Sequence, residues 1–213
     1  MLTAFMPTEF LISALVTLMV VVDPVGLAPT FLAVTERLPP KLRNQVALRA
    51  SLIAGAIMIG TALIGDWLLR QLGITLPAFR IAGGLLLFAV AFEMVLGLRL
   101  ERASKDAEQA VEEHWHHMAA FPLAIPLMAG PGAITATILL AGQAAYRPQW
   151  LAVLLVVIVT VTASCLVTFL AAGRIGKLLG VTGNVVLTRL LGVILAALAI
   201  QYIVDGARAA FGM

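Results

Sequence analysis

The sequence contains few charged residues and a single cysteine. Of its 213 residues, 12% are charged and 62% are hydrophobic, and the mean hydropathy is +1.05. A soluble domain of this length needs a larger charged surface, so these values exclude a soluble globular fold. With Cys165 as its only cysteine, the chain can form neither an intramolecular disulfide nor a cysteine-rich metal site. We therefore expect an all-α membrane protein without a bound metal or cofactor.

Signature motifs of enzymes are also missing. The chain contains no Gly-x4-Gly-Lys-[Ser/Thr] loop, no His-Glu-x-x-His pair, and no Gly-x-Ser-x-Gly or Gly-x-Gly-Asp motif. We therefore expect neither ATP hydrolysis nor intramembrane catalysis, and the chain is not predicted to be an enzyme. Its 14 basic residues are spread over short loops, which indicates a role in membrane topology and no binding of nucleic acid.

Long apolar runs dominate the chain. Residues 118–146 and 148–173 contain no Asp, Glu, Lys or Arg. Roughly 20 apolar residues cross a bilayer core of about 30 Å, so each run is long enough for one crossing. The first charged residue of the chain is Glu9, and no basic segment precedes the first apolar run, which starts at Phe10. This is not the pattern of a cleaved signal peptide, so we expect that run to be retained as a span. We predict six transmembrane spans at about 10–35, 46–69, 78–98, 117–141, 150–172 and 185–207.

The distribution of Lys and Arg predicts the orientation of these spans. Most of the basic residues lie on one side, in the first, third and fifth loops: Arg37, Lys41, Arg43, Arg49, Arg99, Arg102, Lys105, Arg174, Lys177 and Arg189. The other side carries Arg70, Arg80, Arg147 and Arg208. Because positive charge marks the cytoplasmic side, we expect both termini to lie outside a prokaryotic inner (plasma) membrane. The reversed topology is the alternative.

The two halves of the sequence match one another. Pro24 aligns with Pro131, and Leu-Gly-Ile-Thr at 72–75 aligns with Leu-Gly-Val-Thr at 179–182. After a short insertion, Arg80, Gly83 and Gly97 align with Arg189, Gly192 and Gly206. Each half holds three spans, so the second half starts on the opposite side of the membrane and is inverted. We predict one transmembrane domain over 1–213, with repeat 1 at about 8–98, repeat 2 at about 117–207 and a cytoplasmic loop at about 99–116. Inverted repeats are typical of secondary transporters.

Helix-breaking residues interrupt the first and fourth predicted spans at matched positions. Proline lacks an N–H donor and clashes with the carbonyl four residues earlier, and glycine on either side permits unwinding. The new helix starts then point free amides and positive dipole ends at the middle of the membrane, which suits a carboxylate. The predicted substrate-binding residues are Asp23, Pro24, Gly26, Thr30, Gly130, Pro131, Gly132, Thr135 and Thr137. The alternative is that these residues only kink packed helices.

Two carboxylates inside the spans are candidates for ion coupling. Asp23 lies beside the first break and suits an ammonium group or a coupling cation. Glu93 lies near the end of the third span and is either a proton carrier or the partner of a basic loop residue such as Arg99. We expect the coupling ion to be a proton or a sodium ion.

The residues around the two breaks resemble a known family. The segment Asp-Pro-Val-Gly-Leu-Ala-Pro-Thr-Phe at 23–31, together with Ala-Ile-Pro-Leu-Met-Ala-Gly-Pro-Gly-Ala-Ile at 124–134, is similar to the MarC family of bacterial and archaeal membrane proteins. The resemblance covers essentially the whole chain. It implies broken first and fourth helices and, through the SnatA-type members, transport of small neutral amino acids such as glycine or alanine.

The leading hypothesis for function is a secondary transporter of small zwitterionic amino acids in the lipid bilayer. It works by alternating access around a site at the two breaks, and ion coupling is expected. The alternatives are an exporter of drugs or other small metabolites and a structural membrane protein that transports nothing. The sequence leaves the direction of transport and association into a homo-oligomer open.

The orientation can be tested by cysteine labelling in intact cells. In a Cys165→Ser background, single cysteines introduced by Arg43→Cys, Lys105→Cys or Lys177→Cys are expected to resist a membrane-impermeant thiol reagent added from outside, because these loops hold most of the positive charge. Labelling of Arg43→Cys from outside in intact cells contradicts the predicted orientation.

Overall fold

The structure is a computed structural model, and it describes residues 7–36, 38–98, 119–144 and 147–212. Within these ranges the chain is helical, as predicted, and no strand is found. The elements in chain order are α1 (Pro7–Val22), α2 (Ala28–Thr35), α3 (Pro40–Gln71), α4 (Leu76–Leu96), a π-helical segment π1 (Ala119–Met128), α5 (Pro131–Gln143), α6 (Pro148–Leu170) and α7 (Ala172–Phe211).

Four of the described helices are long and apolar enough to cross a membrane. They are Pro40–Gln71, Leu76–Leu96, Pro148–Leu170 and Thr182–Phe211, and a shorter apolar helix covers Thr8–Val22. Large hydrophobic side chains on the outside of the bundle, such as Leu63 at 54% and Val167 at 64% exposure, face the surroundings and not the core. Such a surface is stable in lipid and not in water, so the protein is a multi-pass membrane protein.

The predicted spans 10–35 and 117–141 are each divided in the structure. The first consists of α1 and α2, and the chain between them leaves the helix at residues 23–27. The second consists of π1 and α5, which are separated by residues 129 and 130. Both interruptions fall at the Pro and Gly residues that the sequence pointed to.

The predicted span 46–69 starts too late, because α3 begins at Pro40. The basic residues at this end suggested a loop, but they lie on a helical extension. Arg43 Nη2 donates a hydrogen bond to the Thr35 carbonyl oxygen at 3.2 Å. That carbonyl lies at the end of α2, where a helix lacks internal partners. The basic residue therefore belongs to the helix and ties its start to the end of α2.

Glycines in the left-handed conformation end two helical segments at matched positions. Gly73 follows α3 with φ 69°, and Gly180 interrupts α7 with φ 62° and ψ −178°. Glycine adopts positive φ without the steric cost that other residues meet. Each glycine is followed by the start of an apolar span, at Leu76 and at Thr182. The aligned Leu-Gly-[Ile/Val]-Thr sequences thus have the same left-handed glycine.

The most extensive contact in the bundle is between α4 and α7, which run antiparallel. Glycines let the two backbones approach closely. A Cβ on Gly84 would lie 2.7 Å from the Ala199 carbonyl oxygen, and a Cβ on Gly206 would lie 2.9 Å from the Pro77 carbonyl oxygen. Small residues at a helix interface are the usual way for helices to pack in lipid, where the hydrophobic effect does not drive association.

Three of the other helix contacts have a counterpart in the other half of the sequence. α1 packs against α6, and π1 packs against α3. α2 packs against α7, and α5 packs against α4. α2 also contacts α6, and α5 contacts α3. In each pair, the second contact joins the helices that correspond, in the other half of the sequence, to the two helices of the first contact.

The α4–α7 interface gives a prediction for stability. Gly84→Ala is expected to lower the free energy of unfolding by about 1–3 kcal/mol, because the added methyl meets the fixed backbone of α7. Thermal unfolding of the purified protein in detergent measures this change.

Gly60→Ala is the matched control, since a Cβ at this position in α3 meets nothing within 4 Å. It is expected to be neutral or to stabilise the helix by ~0.5–1 kcal/mol. Equal stability of the two variants would contradict close backbone packing at Gly84.

Candidate functional site

Asp23 ends α1 and bonds to the chain on both sides of the break. Its φ of 51° lies in the left-handed region, which Asp tolerates better than most residues do. Its N–H donates to the Met19 carbonyl oxygen at 3.0 Å, and its own carbonyl accepts from Leu27 N–H at 3.1 Å. In the side chain, Oδ1 accepts from Gly26 N–H and Oδ2 accepts from the Thr188 hydroxyl, both at 3.0 Å. Only 2% of Asp23 is exposed.

No cation faces the Asp23 carboxylate in the described part of the chain. Of the helices packed against α1, neither α5 nor α6 carries a Lys or Arg. Arg189 follows Thr188 on α7, but it is exposed and its Nη2 lies toward Gly97. The carboxylate is therefore buried with two neutral donors. A buried charge without a counter-charge is costly, which makes Asp23 a place where a cationic group is stabilised.

Gly26 is required by the position of the Asp23 side chain. A Cβ on Gly26 would overlap the Asp23 carboxylate. The amides at the start of α2 are also occupied: Gly26 N–H by Asp23 Oδ1, Leu27 N–H by the Asp23 carbonyl and Ala28 N–H by the Val25 carbonyl. The expectation of free amides at the first break is not met, because the chain's own carboxylate and carbonyls accept those hydrogen bonds.

The second break differs in this respect. Gly130 is extended at φ −80° and ψ 176°, and a Cβ there would overlap the Pro126 carbonyl oxygen. The first hydrogen bond of α5 runs from Ile134 N–H to the Gly130 carbonyl at 3.0 Å. Gly132 and Ala133, both buried, lie in the first turn of α5, where the N–H groups of a helix have no acceptor within the helix itself. This end of α5 carries the positive end of the helix dipole, so it is suited to an anionic group.

The two breaks lie next to each other in the bundle. α1 packs against α5, and a Cβ on Gly132 would lie 3.3 Å from Val21 Cγ1. Val21 is two residues before Asp23 on the same helix. α4 closes the other side, with Val90 Cγ2 at 3.2 Å and Leu87 Cδ2 at 3.6 Å from the same Cβ position. The structure therefore brings the buried Asp23 carboxylate and the first turn of α5 into one region.

The predicted threonines are all buried but differ in what they contact. Thr30 lies in the first turn of α2. Thr135 points toward α4, with its Cγ2 2.6 Å from where a Cβ on Gly83 would be. The Thr137 hydroxyl donates to the Ala133 carbonyl at 2.7 Å, so its proton is already used within α5.

The two remaining predicted prolines and Glu93 have different surroundings. Pro24 is buried, whereas Pro131 is exposed and occupies the first turn of α5, where its missing N–H costs nothing. Glu93 is partly buried on α4. Its suggested partner, Arg99, lies outside the described residues.

Sequence reasoning missed Thr188 as a partner of Asp23. Thr188 and Asn184 are buried one turn apart on α7, at 3% and 4% exposure. Two polar residues at this spacing on one face of an otherwise apolar span are a signal for a polar contact. A second polar group on α7, the Tyr202 hydroxyl, faces Thr17 of α1 and Gln143 of α5.

A metal site, or a cavity away from the two breaks, would be a further candidate site in the described part of the chain. No group of three or more His, Cys, Asp or Glu residues is arranged to hold a metal ion there. A cavity of about 520 Å³ lies at the connection between α3 and α4, bordered by the Arg70–Asp66 ion pair, by residues 73–76 and by Gly142. It is not lined by residues of either break.

Comparison with known proteins assigns the family. Residues 8–211 match the sequence model of the MarC family of integral membrane proteins. The chain belongs to the MarC family. A UPF0056 membrane protein of Methanocaldococcus jannaschii is 36% identical over 96% of this chain and 99% of its own length. The UPF0056 membrane protein YhcE of Escherichia coli is 36% identical over 91% of this chain and 90% of its own length. No solved structure is significantly similar to this MarC family chain.

The first break gives a prediction for stability. Gly26→Ala is expected to lower the free energy of unfolding by about 1–3 kcal/mol, because the added methyl group would overlap the Asp23 carboxylate. Asp23→Asn is expected to be milder, since Asn tolerates the left-handed backbone and its carbonyl oxygen can still accept from Gly26 N–H. Thermal unfolding in detergent compares the two variants.

Gly173→Ala is the control, because a Cβ at Gly173 meets nothing within 4 Å. A Gly26→Ala protein as stable as the Gly173→Ala protein would show that Asp23 does not fill the space beside Gly26.

Proposed function

We propose that this MarC family protein is a secondary transporter of small zwitterionic amino acids such as glycine or alanine, with an ion gradient as the driving force. The observation that carries the proposal is the pairing of opposite chemistries at the two breaks. The first break offers a buried carboxylate with no cation beside it, and the second offers the buried first-turn amides of Gly132 and Ala133, which have no acceptor within α5 itself. A zwitterion satisfies both.

The geometry supports one orientation of the ligand. Its ammonium group binds at Asp23, which would otherwise remain a buried charge among neutral donors. Its carboxylate binds at the Gly132 and Ala133 amides, at the positive end of the α5 dipole. The start of α2 cannot take the carboxylate, because Asp23 already occupies those amides and would repel a second anion. Glycine and alanine carry both of these charged groups on one α-carbon and have little side-chain volume to place.

The helix contacts support a transporter built from two inverted halves of three spans each. The contact of α1 with α6 recurs as that of π1 with α3, and the contacts of α2 with α7 and α6 recur as those of α5 with α4 and α3. The left-handed glycines Gly73 and Gly180 occupy aligned positions. Two halves of this kind can exchange conformations, which gives alternating access to a site between them. A structural protein has no use for such an exchange.

Ion coupling is assigned to Asp23 in this proposal, with Glu93 in a secondary role. Asp23 bonds to α2 through Gly26 and to α7 through Thr188, so a proton or sodium ion that binds it in turn with the ammonium group acts on both helices. Glu93 lies on α4 and is partly buried. The distribution of basic residues supports an orientation in which both termini lie outside.

The test is uptake of labelled glycine by proteoliposomes that contain the purified protein, with and without an imposed ion gradient. We expect saturable uptake that unlabelled alanine inhibits. Alaninamide is expected to inhibit at least ten-fold less, because it lacks the carboxylate that accepts charge-assisted hydrogen bonds from the α5 amides. Gly132→Val should abolish the uptake, since its side chain would crowd Val21 and Val90 and displace the start of α5 that presents those amides.

Gly55→Val is the matched control for packing, because a Cβ on Gly55 contacts Thr162 on α6, away from the breaks. It should change stability with little effect on the affinity for glycine. Equal inhibition by alaninamide and alanine would remove the carboxylate site from the mechanism. Absence of saturable uptake for glycine and for a panel of other small metabolites and drugs would favour a structural membrane protein.

A further inference from the structure

We infer that Val90 of α4 sets the upper limit on the size of the ligand's side chain. This inference rests on the proposed function and extends it from the class of substrate to the residue that selects within the class. Three apolar side chains lie nearest to the position that a Cβ on Gly132 would take: Val21 from α1, and Leu87 and Val90 from α4. Their atoms lie 3.2–3.6 Å from where a Cβ on Gly132 would be.

A ligand held at both ends has little freedom in the placement of its side chain. With its carboxylate at the α5 amides and its ammonium group at Asp23, the α-carbon lies between α1 and α5. Gly132 contributes no side chain of its own, so the nearest atoms beside its Cα on the Cβ side belong to Val21, Leu87 and Val90. The ligand side chain must fit against this apolar wall, which favours hydrogen or methyl and disfavours a charged or long group.

Val90 differs from the other two residues of the wall in its burial. Val21 is 2% exposed and Leu87 is 0% exposed, so both are fixed in the core. Val90 is only partly buried, and Pro131 at the start of α5 is exposed, so this side of the site borders the protein surface. A change in the size of Val90 can therefore alter the available space without opening a closed cavity in the core.

The effect can be tested in both directions with two variants. One methylene in an apolar pocket changes discrimination between substrates about 10–200-fold. Val90→Ala enlarges the space and should improve inhibition of glycine uptake by valine or leucine at least ten-fold, relative to inhibition by alanine. Val90→Leu reduces the space and should weaken inhibition by alanine at least ten-fold, while the apparent KM for glycine changes much less.

Val95→Ala is the matched control on the same helix. Val95 is also partly buried, but its Cγ2 lies 3.0 Å from where a Cβ on Gly192 of α7 would be, away from Gly132. This variant should leave the inhibition ratios at the wild-type values. The measurement is the concentration of each unlabelled amino acid that halves uptake of labelled glycine into proteoliposomes, for the wild type and the three variants.

The outcomes separate this inference from the proposed function. Wild-type protein that takes up no glycine contradicts the proposed function itself. Wild-type uptake with ratios that stay unchanged in both Val90 variants, or that change equally in Val95→Ala, overturns the assignment of Val90 and leaves the transporter in place. Opposite changes in Val90→Ala and Val90→Leu, with Val95→Ala unchanged, support it, because a general loss of stability moves both variants the same way.

Discussion

The first transmembrane segment can leave its helix inside the protein because the Asp23 side chain replaces the missing hydrogen-bond partners. In lipid an unsatisfied backbone amide costs several kcal/mol, so a break persists only where something accepts its hydrogen bonds. Asp23 Oδ1 accepts from Gly26 N–H, and the Asp23 carbonyl accepts from Leu27 N–H. The glycine at 26 follows from this arrangement, since any side chain there would displace the carboxylate. The start of α2 thus depends on one buried acidic residue.

The same carboxylate connects the break to the most closely packed part of the bundle. Thr188 donates to Asp23 Oδ2 from α7, and α7 is held against α4 through Gly84 and Gly206. Backbone contacts of this kind do not deform gradually, because neither carbonyl nor Cα can move aside alone. A change of charge or occupancy at Asp23 therefore acts on a rigid helix pair and not on one loop. That is the mechanical requirement for a site whose occupancy changes the arrangement of helices.

The sequence predicts the breaks well because their causes are local. Pro24 and Pro131 lack a donor wherever they occur in a helix, and the two interruptions are found beside them. The partners at the breaks are not local. Thr188 is 165 residues from Asp23, and no pattern around Asp23 identifies it. The start of α3 at Pro40 was also missed, because basic residues fit equally well in a loop and on a helix that extends beyond the hydrocarbon.

In the proposed transporter, the difference between the two breaks gives the ligand site a direction. If both helix starts had open amides, a carboxylate could bind at either one, and the ammonium group would have no acceptor. If both carried an Asp, each would occupy its own amides and two buried anions would repel each other. Here Asp23 occupies the start of α2, and the aligned position before α5 holds Gly130, which has no side chain. In the proposed transporter, one acidic residue thus removes one of two equivalent anion sites and creates a cation site beside the other. That single difference between the halves would fix the orientation of a zwitterionic ligand.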